Sequence, residues 1–408
     1  MDKKKITIIS ANFYPEETAV GLYNTQFSKF LVDKGYDVNI ITGFPYYPQW
    51  KILEKYQQLP NYFNETINGV EVIRYKQYVP KTINFKGRVI LMLSLFYGTF
   101  VNIFKVKKTD LVICILPFSI SMIPSYILSK RMKAKFWVHV QDFEFDLAFD
   151  SGVVKSNNLF IKLFKKTLAF FERKMLNSAH VVSSISYSML DKIKIKSCHD
   201  KPYYFPNWVS SEKINPKTCS KHKLVNTEKF TLLYSGNIGE KQNWHFLENL
   251  CKVISPSENI EILIVGDGAF KNNLKIMLKD FSFIRFSDPV PYEELNDLLC
   301  SANVHFLFQK NEVIDTVMPS KILAMMASGK PSIITGNKNS EVASIINESS
   351  SFYFSDNKVI TVYEKLIELK NNFTLSEELG SKSRVYVLDK FSSDKILENL
   401  YVKILNTI

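Results

Sequence analysis

Short runs of aliphatic and β-branched residues alternate with longer amphipathic runs along the first half of the chain. The short runs predict strands, and the longer runs between them predict helices. The predicted strands are Ile6–Ser10, Asp37–Thr42, Val70–Tyr75, Leu111–Leu116, Phe136–Val140 and His180–Ser184. The predicted helices are Thr25–Lys34, Arg88–Phe104, Ile120–Lys133 and Leu159–Leu176. Such an alternation favours a parallel sheet with helices on both faces.

The second half repeats this pattern after a polar segment, Pro206–Asn226, that has no periodicity and reads as a linker. The predicted strands there are Phe230–Ser235, Glu261–Val265, Phe283–Phe286, Val304–Gln309 and Pro331–Thr335. The predicted helices are Asn243–Ile254, Phe270–Phe281, Tyr292–Ser301 and Ser320–Ala327. We therefore expect an α/β protein with two Rossmann-like, doubly wound domains facing a central cleft. The expected domains are residues 1–208 and 209–385, with a helix at 386–408 packing back toward the first.

The net positive charge of the chain comes entirely from its first half. Residues 1–208 contain 29 Lys and Arg against 16 Asp and Glu, a net of +13, whereas residues 209–408 carry a net of −1. Such a bias favours an anionic partner. The five cysteines and six histidines are scattered without the spacing of a metal site, which favours a reduced compartment. No cleavable signal peptide is expected from the N-terminal residues.

Two stretches of the first half combine apolar and basic residues. Val89–Phe104 is very apolar, but its sixteen residues fall short of the ~20 that span a bilayer. Asn158–Leu176 alternates the two residue types at helical spacing, with Lys162, Lys165 and Lys166 on its basic positions. They predict helices that pack in a core or lie on an anionic membrane surface. A nucleic-acid-binding or purely lipid-binding module is the alternative, although no nucleic-acid recognition motif is present.

Several predicted strand-to-helix turns carry glycine, lysine or a carboxylate. Glu17 and Gly21 follow the first strand, and the turn of Gly236, Asn237, Gly239 and Lys241 follows the first strand of the second half. Gly266 and Gly268 end the next strand, while Pro319, Ser320 and Lys321 begin a later helix. Backbone amides at helix N-termini beside a lysine suit a diphosphate. No P-loop is present, and no GxGxxG opens the first strand, which argues against a kinase-like or NAD-linked enzyme.

Taken in order, these stretches resemble family 4 glycosyltransferases, which have the two-domain GT-B fold. The resemblance extends over nearly the whole chain, through "SANFYPEETAVGLYNTQF", "WVHVQD", "YFPNWV", "LLYSGNIGEKQ", "ILIVGDGAFKNNLK" and "MPSKILAMMASGKPSI". It is greatest with the bacterial subgroup that builds O-antigen, colanic acid and capsule, and includes similarity to N-acetyl-L-fucosaminyl transferases. A sugar-nucleotide epimerase of the same fold is a second enzymatic alternative, but it would leave the basic half unexplained.

The resemblance implies retaining transfer of a sugar from a nucleotide diphosphate, usually UDP, with no cofactor beyond that donor. Acceptors in such pathways are polyprenyl-diphosphate sugars at the cytoplasmic membrane face. Lys241 matches the lysine that contacts the donor diphosphate, and Pro319, Ser320 and Lys321 match a nearby turn. Gly266 and Gly268 match the turn under the base and ribose.

In the first domain, "WVHVQDFEFD" matches the acceptor-side loop of the family, so His139 and Asp142 are the expected catalytic residues. Asp142 would orient an acceptor hydroxyl or stabilise an oxocarbenium-like centre. Asp142 and Asp146 are spaced by four residues rather than the two of a DxD motif, so no metal is expected.

The chain also departs from the family. Asn237 stands where many relatives have arginine, and Thr316 and Ala324 stand where they have glutamates, so the ribose contact would need a substitute such as Asp315 or Glu312.

Overall fold

The computed structural model describes residues 3–17, 19–82, 84–143, 159–312, 320–355 and 358–408, without the side chains of 19, 85, 159–165 and 320. The chain divides into two compact units. Unit 1 comprises Met1–Pro206 and Leu397–Ile408, and unit 2 comprises Asn207–Ile396. This division places the return to the first unit at residue 397, whereas the sequence placed it at 386.

Unit 1 is built on an eight-stranded sheet whose strands are parallel except at one edge. Its strands are β1 (Lys5–Ile9), β2 (Asp37–Gly43), β3 (Tyr62–Ile67), β4 (Val70–Tyr75), β5 (Leu111–Ile115), β6 (Lys135–Val140), β7 (Val181–Ser184) and β8 (Tyr203–Tyr204). They lie in the order β3-β4-β2-β1-β5-β6-β7-β8. Without the edge strand β3, this is the doubly wound Rossmann order, in which the direction of winding reverses between β1 and β5.

Helices cover the sheet of unit 1. They are α1 (Ala19–Asp33), α2 (Glu54–Gln57), α3 (Phe85–Asn102), α4 (Met122–Met132), α5 (Leu159–Ser178) and α6 (Tyr187–Lys196). The central strands are buried on both faces, as expected for a parallel sheet covered by helices, and Ile6, Ile8 and Trp137 are among the largest buried side chains. Arg74 is also fully buried and pairs with Glu65 of the neighbouring edge strand.

Unit 2 contains a six-stranded, fully parallel sheet. Its strands are β9 (Phe230–Ser235), β10 (Ile260–Val265), β11 (Ile284–Ser287), β12 (Val304–Phe308), β13 (Ser332–Thr335) and β14 (Phe352–Phe354). They lie in the order β11-β10-β9-β12-β13-β14, which is again the Rossmann order. The winding reverses between β9 and β12, and this is where such sheets bind ligands, at the carboxyl ends of the strands.

The helices of unit 2 include two long ones near its end. They are α7 (Trp244–Val253), α8 (Lys271–Met277), α9 (Leu295–Ser301), α10 (Ser320–Ala327), α11 (Glu341–Glu348), α12 (Val359–Asn371) and α13 (Phe373–Phe391), followed by α14 (Ser393–Leu405), which continues into unit 1. The segment predicted as a linker packs on α9, because Asn215 and Ser220 donate backbone hydrogen bonds to Asn296 and Asp297.

The sequence analysis placed several helix boundaries wrongly and missed three strands, β3, β8 and β14. The first helix begins at Ala19 rather than near Thr25, so that Gly21 lies in its first turn. Strand β3 was missed because its exposed and half-exposed residues alternate at a sheet edge without a continuous apolar run. The predicted helix Phe270–Phe281 is shortened to Lys271–Met277. The remaining predicted strands match the observed ones to within one residue at each end.

Helix α3 covers the sheet with one face and leaves an apolar stripe on the other. Leu91 and Leu95 are buried, whereas Ile90, Leu93 and Tyr97 are 38%, 54% and 63% exposed. By length and composition alone, Lys86–Lys105 would also suit a membrane span. The contacts of α3 with β2 and β4 instead make it a helix that covers the sheet of unit 1. We call Ile90, Leu93 and Tyr97 the α3 stripe.

Candidate active site

A buried carboxylate organises the loop after β1. Glu16 is 4% exposed, and its Oε1 accepts hydrogen bonds from the backbone N–H groups of Tyr46 and Tyr47 at 2.8 and 2.7 Å. Its Oε2 accepts from Asn12 Nδ2 at 2.9 Å. Burial raises the pKa of Glu16, and these hydrogen bonds oppose that increase. Glu16 therefore joins the loop after β1 to the loop after β2.

Gly21 allows the loop of Glu16 to pack on α1. A Cβ atom at Gly21 would lie 2.4 Å from the Glu16 carbonyl oxygen, so no other residue fits there without a shift. Thr25 lies one turn further along the helix, donates to the Gly21 carbonyl at 2.8 Å and accepts from the Tyr14 N–H at 3.0 Å. At Gly21 the structure therefore shows close packing of α1 against the backbone of Glu16.

His139 lies at the carboxyl end of β6 and is 3% exposed. Its Nδ1 is 2.9 Å from Ser183 Oγ, and its Nε2 is 3.0 Å from Gln141 Nε2. Donors and acceptors match when Nδ1–H donates to Ser183 and Nε2 accepts from the Gln141 amide. Burial lowers the pKa of His139 to about 3, so the ring is neutral at pH 7.

Two predicted residues of unit 1 lie beside these buried groups. Asp142 is partly exposed, directly after Gln141, and Glu17 is partly exposed, directly after Glu16. Both make further interactions within the fold. The strands that carry the two loops, β1 and β6, are separated by β5 alone, so both loops lie at the same edge of the sheet. Asp146 lies outside the described residues.

Lys321 of unit 2 combines a desolvated ammonium with an aromatic partner. Its Nζ donates to Tyr234 Oη at 2.8 Å and lies 4.2 Å from the centroid of the same ring. Tyr234 is 1% exposed, and its hydroxyl donates to the Asn237 carbonyl. Desolvation lowers the pKa of Lys321 to about 7. Among the residues that the structure describes, no carboxylate forms an ion pair with this ammonium.

The glycines predicted for the donor site bring two turns together around Lys321. A Cβ atom at Gly266 would lie 1.9 Å from the Gly236 carbonyl oxygen, and one at Gly268 would lie 2.4 Å from the Ile238 carbonyl oxygen. Gly236 itself faces the lysine, since a Cβ there would lie 3.1 Å from Lys321 Nζ. The turns after β9 and β10 thus pack backbone against backbone beside the ammonium.

Lys241 is on the same loop as Gly236, but its side chain is exposed. The backbone around it is fixed, because its carbonyl accepts from the Lys310 N–H at 3.1 Å and Gln242 forms a bridge to Gln309. These contacts connect the loop after β9 to the end of β12, where the winding of the sheet reverses. Asn237, in the position where many relatives carry arginine, is exposed as well.

Some predicted residues cannot be compared with the structure. Pro319, Thr316 and Asp315 lie outside the described residues. Ser320 begins α10, but its side chain is also outside the description. Ala324 lies one turn further along this helix and is partly exposed, whereas Glu312 is exposed. In the described ranges, no three His, Cys, Asp or Glu residues form a group that could hold a metal ion.

Sequence reasoning missed three residues that shape these sites. Glu16 was passed over in favour of its neighbour, Tyr234 was read only as a strand residue, and Arg74 was not singled out. Arg74 donates to the carbonyls of Gly43 and Tyr14, and so holds the loops after β1 and β2 together. A buried-strand position occupied by arginine was the available signal, because a buried arginine requires several acceptors.

Comparisons with known proteins agree with this architecture. Residues 229–372, in unit 2, match the family model "Glycosyl transferases group 1". The chain is 29% identical over 357 residues to the putative colanic acid biosynthesis glycosyl transferase WcaI of Escherichia coli, covering 84% of this chain and 85% of the relative.

Two solved structures have the same fold over essentially the whole chain. Sucrose-phosphate synthase from Thermosynechococcus elongatus matches with a TM-score of 0.74 at 14% identity, over 100% of both chains. Anabaena HepE, in complex with UDP and glucose, matches with a TM-score of 0.68 at 11% identity, over 99% of this chain and 100% of the other.

The two Rossmann-type units and these structural matches define the GT-B fold. The family model in unit 2 and the E. coli relative go one step further, and make this chain similar to group 1 glycosyl transferases.

Proposed function

We propose that the protein transfers a sugar, with retention of configuration, from a UDP-sugar to a lipid-linked oligosaccharide in the assembly of a surface polysaccharide. N-acetyl-L-fucosamine is the proposed sugar, from the resemblance noted in the sequence. The proposed reaction takes place at the cytoplasmic face of the membrane and uses no metal ion or cofactor. It breaks the bond between the anomeric carbon and the diphosphate, and forms a glycosidic bond to an acceptor hydroxyl.

The desolvated ammonium of Lys321 is the observation that carries this proposal. An ammonium removed from water is unfavourable unless an anion accompanies it, and the described residues supply only a phenol. The diphosphate of a nucleotide sugar would supply the missing charge. As the bond between the anomeric carbon and the diphosphate breaks, negative charge accumulates on the diphosphate, and a positioned ammonium then stabilises the transition state more than the ground state.

The known proteins support the choice of substrates. HepE was solved with UDP and glucose, and the E. coli relative is named for colanic acid biosynthesis. UDP as the nucleotide and a surface polysaccharide as the product are therefore the first combination to test.

In unit 1, we propose that Asp142 acts on the acceptor hydroxyl, while His139 holds the segment that carries it. The neutral, doubly hydrogen-bonded ring of His139 suits positioning better than proton transfer, because both ring nitrogens already have partners. The ring also packs on Phe205 at 4.8 Å between centroids, which fixes its orientation.

A lipid-linked acceptor requires access to a membrane, and the α3 stripe offers it. Ile90, Leu93 and Tyr97 are exposed along one face of the helix. Lys105, Lys107 and Lys108 follow its end, in the unit that carries all of the excess positive charge. Apolar side chains would enter the headgroup region while the lysines attract anionic lipid, at about 1 kcal/mol for each basic residue near the surface.

The transfer reaction is tested by incubating the purified protein with a panel of UDP- and GDP-sugars, with and without a membrane extract as acceptor. We expect slow release of UDP from one donor without acceptor, and faster release with the extract. The Lys321→Met variant, run in parallel, separates this release from contaminating hydrolase activity. Absence of nucleotide release from every donor would refute the proposed reaction.

Membrane docking is tested by sedimentation with vesicles of phosphatidylglycerol and phosphatidylcholine. We expect binding that rises with the anionic fraction, and a salt-resistant part that is lost in the double variant Ile90→Glu/Leu93→Glu. Ile276 of unit 2 is 68% exposed, so Ile276→Glu is the matched control. Equal binding by the control and the double variant would exclude the α3 stripe as the docking surface.

A further inference from the structure

A pocket of about 290 Å³ lies in unit 1 where the carboxyl end of β4 meets α3. Four tyrosines line it, and Tyr75 of β4 is buried. The other three are Tyr62 from β3, Tyr78 from the segment after β4 and Tyr97 from α3. They are 39%, 44% and 63% exposed. Asn61 and Lys76 supply an amide and an amine. The pocket therefore combines aromatic faces with polar groups, in a volume at the small end for ligand sites.

The floor of the pocket is rigid and already hydrogen-bonded. Gln77 donates to the Phe44 carbonyl at 2.7 Å and accepts from the Phe44 N–H at 2.8 Å. Ser94 Oγ accepts from the Tyr78 N–H at 3.0 Å and donates to the Leu91 carbonyl at 2.8 Å. These contacts hold the wall residues in place, so the tyrosine rings at the rim need not be ordered by a ligand.

A lysine and a glycine shape the rim. Lys105 Nζ lies 4.7 Å from the Tyr62 ring centroid. Gly98, next to Tyr97, lets the helix approach the sheet, because a Cβ atom there would lie 2.1 Å from the Tyr75 ring. Large rings are thus kept at the surface rather than buried in the core.

We propose that this pocket binds one pyranose ring of the glycan acceptor. A pyranose has an apolar face of C–H groups, which packs on an aromatic ring, and a rim of hydroxyls, which pair with amide, amine and phenol groups. The inference rests on the proposed function, because it assigns the pocket to the glycan of that reaction. It adds a sugar subsite, made by Tyr62, Tyr78 and Tyr97, to the predicted loop residues.

The position of the pocket agrees with this occupant. The Gln77–Phe44 pair connects it to the loop after β2, whose Tyr46 and Tyr47 amides bind Glu16. The pocket therefore opens at the same sheet edge as the loop after β1. Tyr97 belongs both to the pocket and to the α3 stripe, so a glycan attached to a membrane lipid would meet the pocket at the docking surface.

Binding is measured without any transfer reaction, by saturation-transfer NMR with the methyl α-glycosides of N-acetylglucosamine, fucose and galactose. At least one glycoside should receive saturation from the protein, and Tyr97→Ala should weaken its binding by about tenfold, the scale of one aromatic contact. Leu93→Ala is the matched control, because Leu93 lies one turn away on the same helix and does not line the pocket. Glycerol 3-phosphate, the headgroup fragment of a phospholipid, is the competing probe.

A preference for glycerol 3-phosphate over all three glycosides, or equal loss of glycoside binding in Tyr97→Ala and Leu93→Ala, would overturn the sugar subsite. Kinetics supply the second readout: Tyr97→Ala should raise KM for the acceptor about tenfold, and Leu93→Ala should raise it less. An unchanged acceptor KM would also overturn it. Absence of UDP release in the unmodified protein would instead refute the proposed transfer, while the NMR result still decides whether the pocket binds sugar.

Discussion

The polar groups at the carboxyl ends of the strands are arranged in opposite ways in the two units. In unit 1, the carboxylate of Glu16 and both ring nitrogens of His139 have partners within the fold. In unit 2, the ammonium of Lys321 has a phenol partner, and no carboxylate of the described residues neutralises it. Saturated groups hold loops in position, whereas a desolvated charge without a counter-charge marks where an anion binds.

The two units also differ in the kind of group that they present to a ligand. Unit 1 presents partly exposed groups, such as Asp142, on a framework of buried hydrogen bonds. Unit 2 presents a cation whose protonation depends on what binds beside it. Replacing Glu16 or His139 should therefore disturb stability and loop position, while replacing Lys321 should disturb the reaction more than the fold. Five predictions test this contrast.

Replacement of Lys321 by methionine should have the largest effect. Methionine keeps much of the side-chain volume and removes the charge, so kcat/KM should fall by about 10³-fold, the upper scale for one charge-stabilising donor. The melting temperature should not fall, because desolvating the ammonium is itself unfavourable. Steady-state kinetics and calorimetry measure the two quantities. If Lys321→Met lost stability and kept normal activity, Lys321 would have a structural role and the contrast between the units would be wrong.

Replacement of Lys241 by alanine should lower turnover by about 10²-fold, provided that the exposed side chain folds onto the donor diphosphate when the donor binds. The fold should be unaffected, since the backbone contacts of Lys241 do not involve its side chain. Lys252 is another exposed lysine of unit 2, so Lys252→Ala is the control. Similar kinetics for both variants would show that Lys241 does not act on the donor diphosphate.

Truncation of Glu16 should act on stability. Glu16→Ala leaves the Tyr46 and Tyr47 amides without their acceptor, at a cost of about 2 kcal/mol in the free energy of unfolding. Glu16→Gln keeps an acceptor oxygen and should cost less.

The free energy of unfolding should depend on pH through the protonation of Glu16. Because burial raises the pKa of Glu16, the folded protein binds more protons than the unfolded chain just above pH 4.5. Its stability should therefore decline with rising pH in that window, relative to Glu16→Gln. Denaturant titrations at several pH values measure both effects, and identical pH profiles for the two proteins would contradict the assignment.

The affinity for a UDP-sugar should depend on pH through Lys321. Its pKa of about 7 means that raising the pH above 7 deprotonates the free enzyme, and an anionic donor must then take up a proton on binding. The dissociation constant should rise about tenfold between pH 6 and pH 8. Calorimetric titrations in buffers of different ionisation enthalpy measure the proton uptake, and Lys321→Met should show none.

Much of the fold could be predicted from the sequence because parallel strands buried on both faces read as continuous apolar runs. Strand β3 could not be found this way, since an edge strand has no such run. The beginning of α1 could not be found either, because glycine is unfavourable within a helix and Gly21 is required by Glu16, which precedes the helix.

The sequence predicted which residues form the candidate site better than it predicted what each of them does. The turns with Gly236, Gly266 and Lys321 stood out in the sequence, and the structure brings them together. The contact of Lys321 with Tyr234 joins residues 87 positions apart, so it follows from the fold and from no local pattern. The choice of Glu16 over Glu17 as the buried carboxylate likewise depends on backbone amides some 30 residues later.

If the proposed function holds, the backbone contact between the turns after β9 and β10 limits which positions can change to accommodate a new donor. Any side chain at Gly266 would collide with a carbonyl 1.9 Å away, so that position admits no adaptive change. Asn237, by contrast, is exposed at the rim of the same turns. Mutational libraries aimed at donor preference should therefore randomise Asn237 and its exposed neighbours, and leave the glycines unchanged.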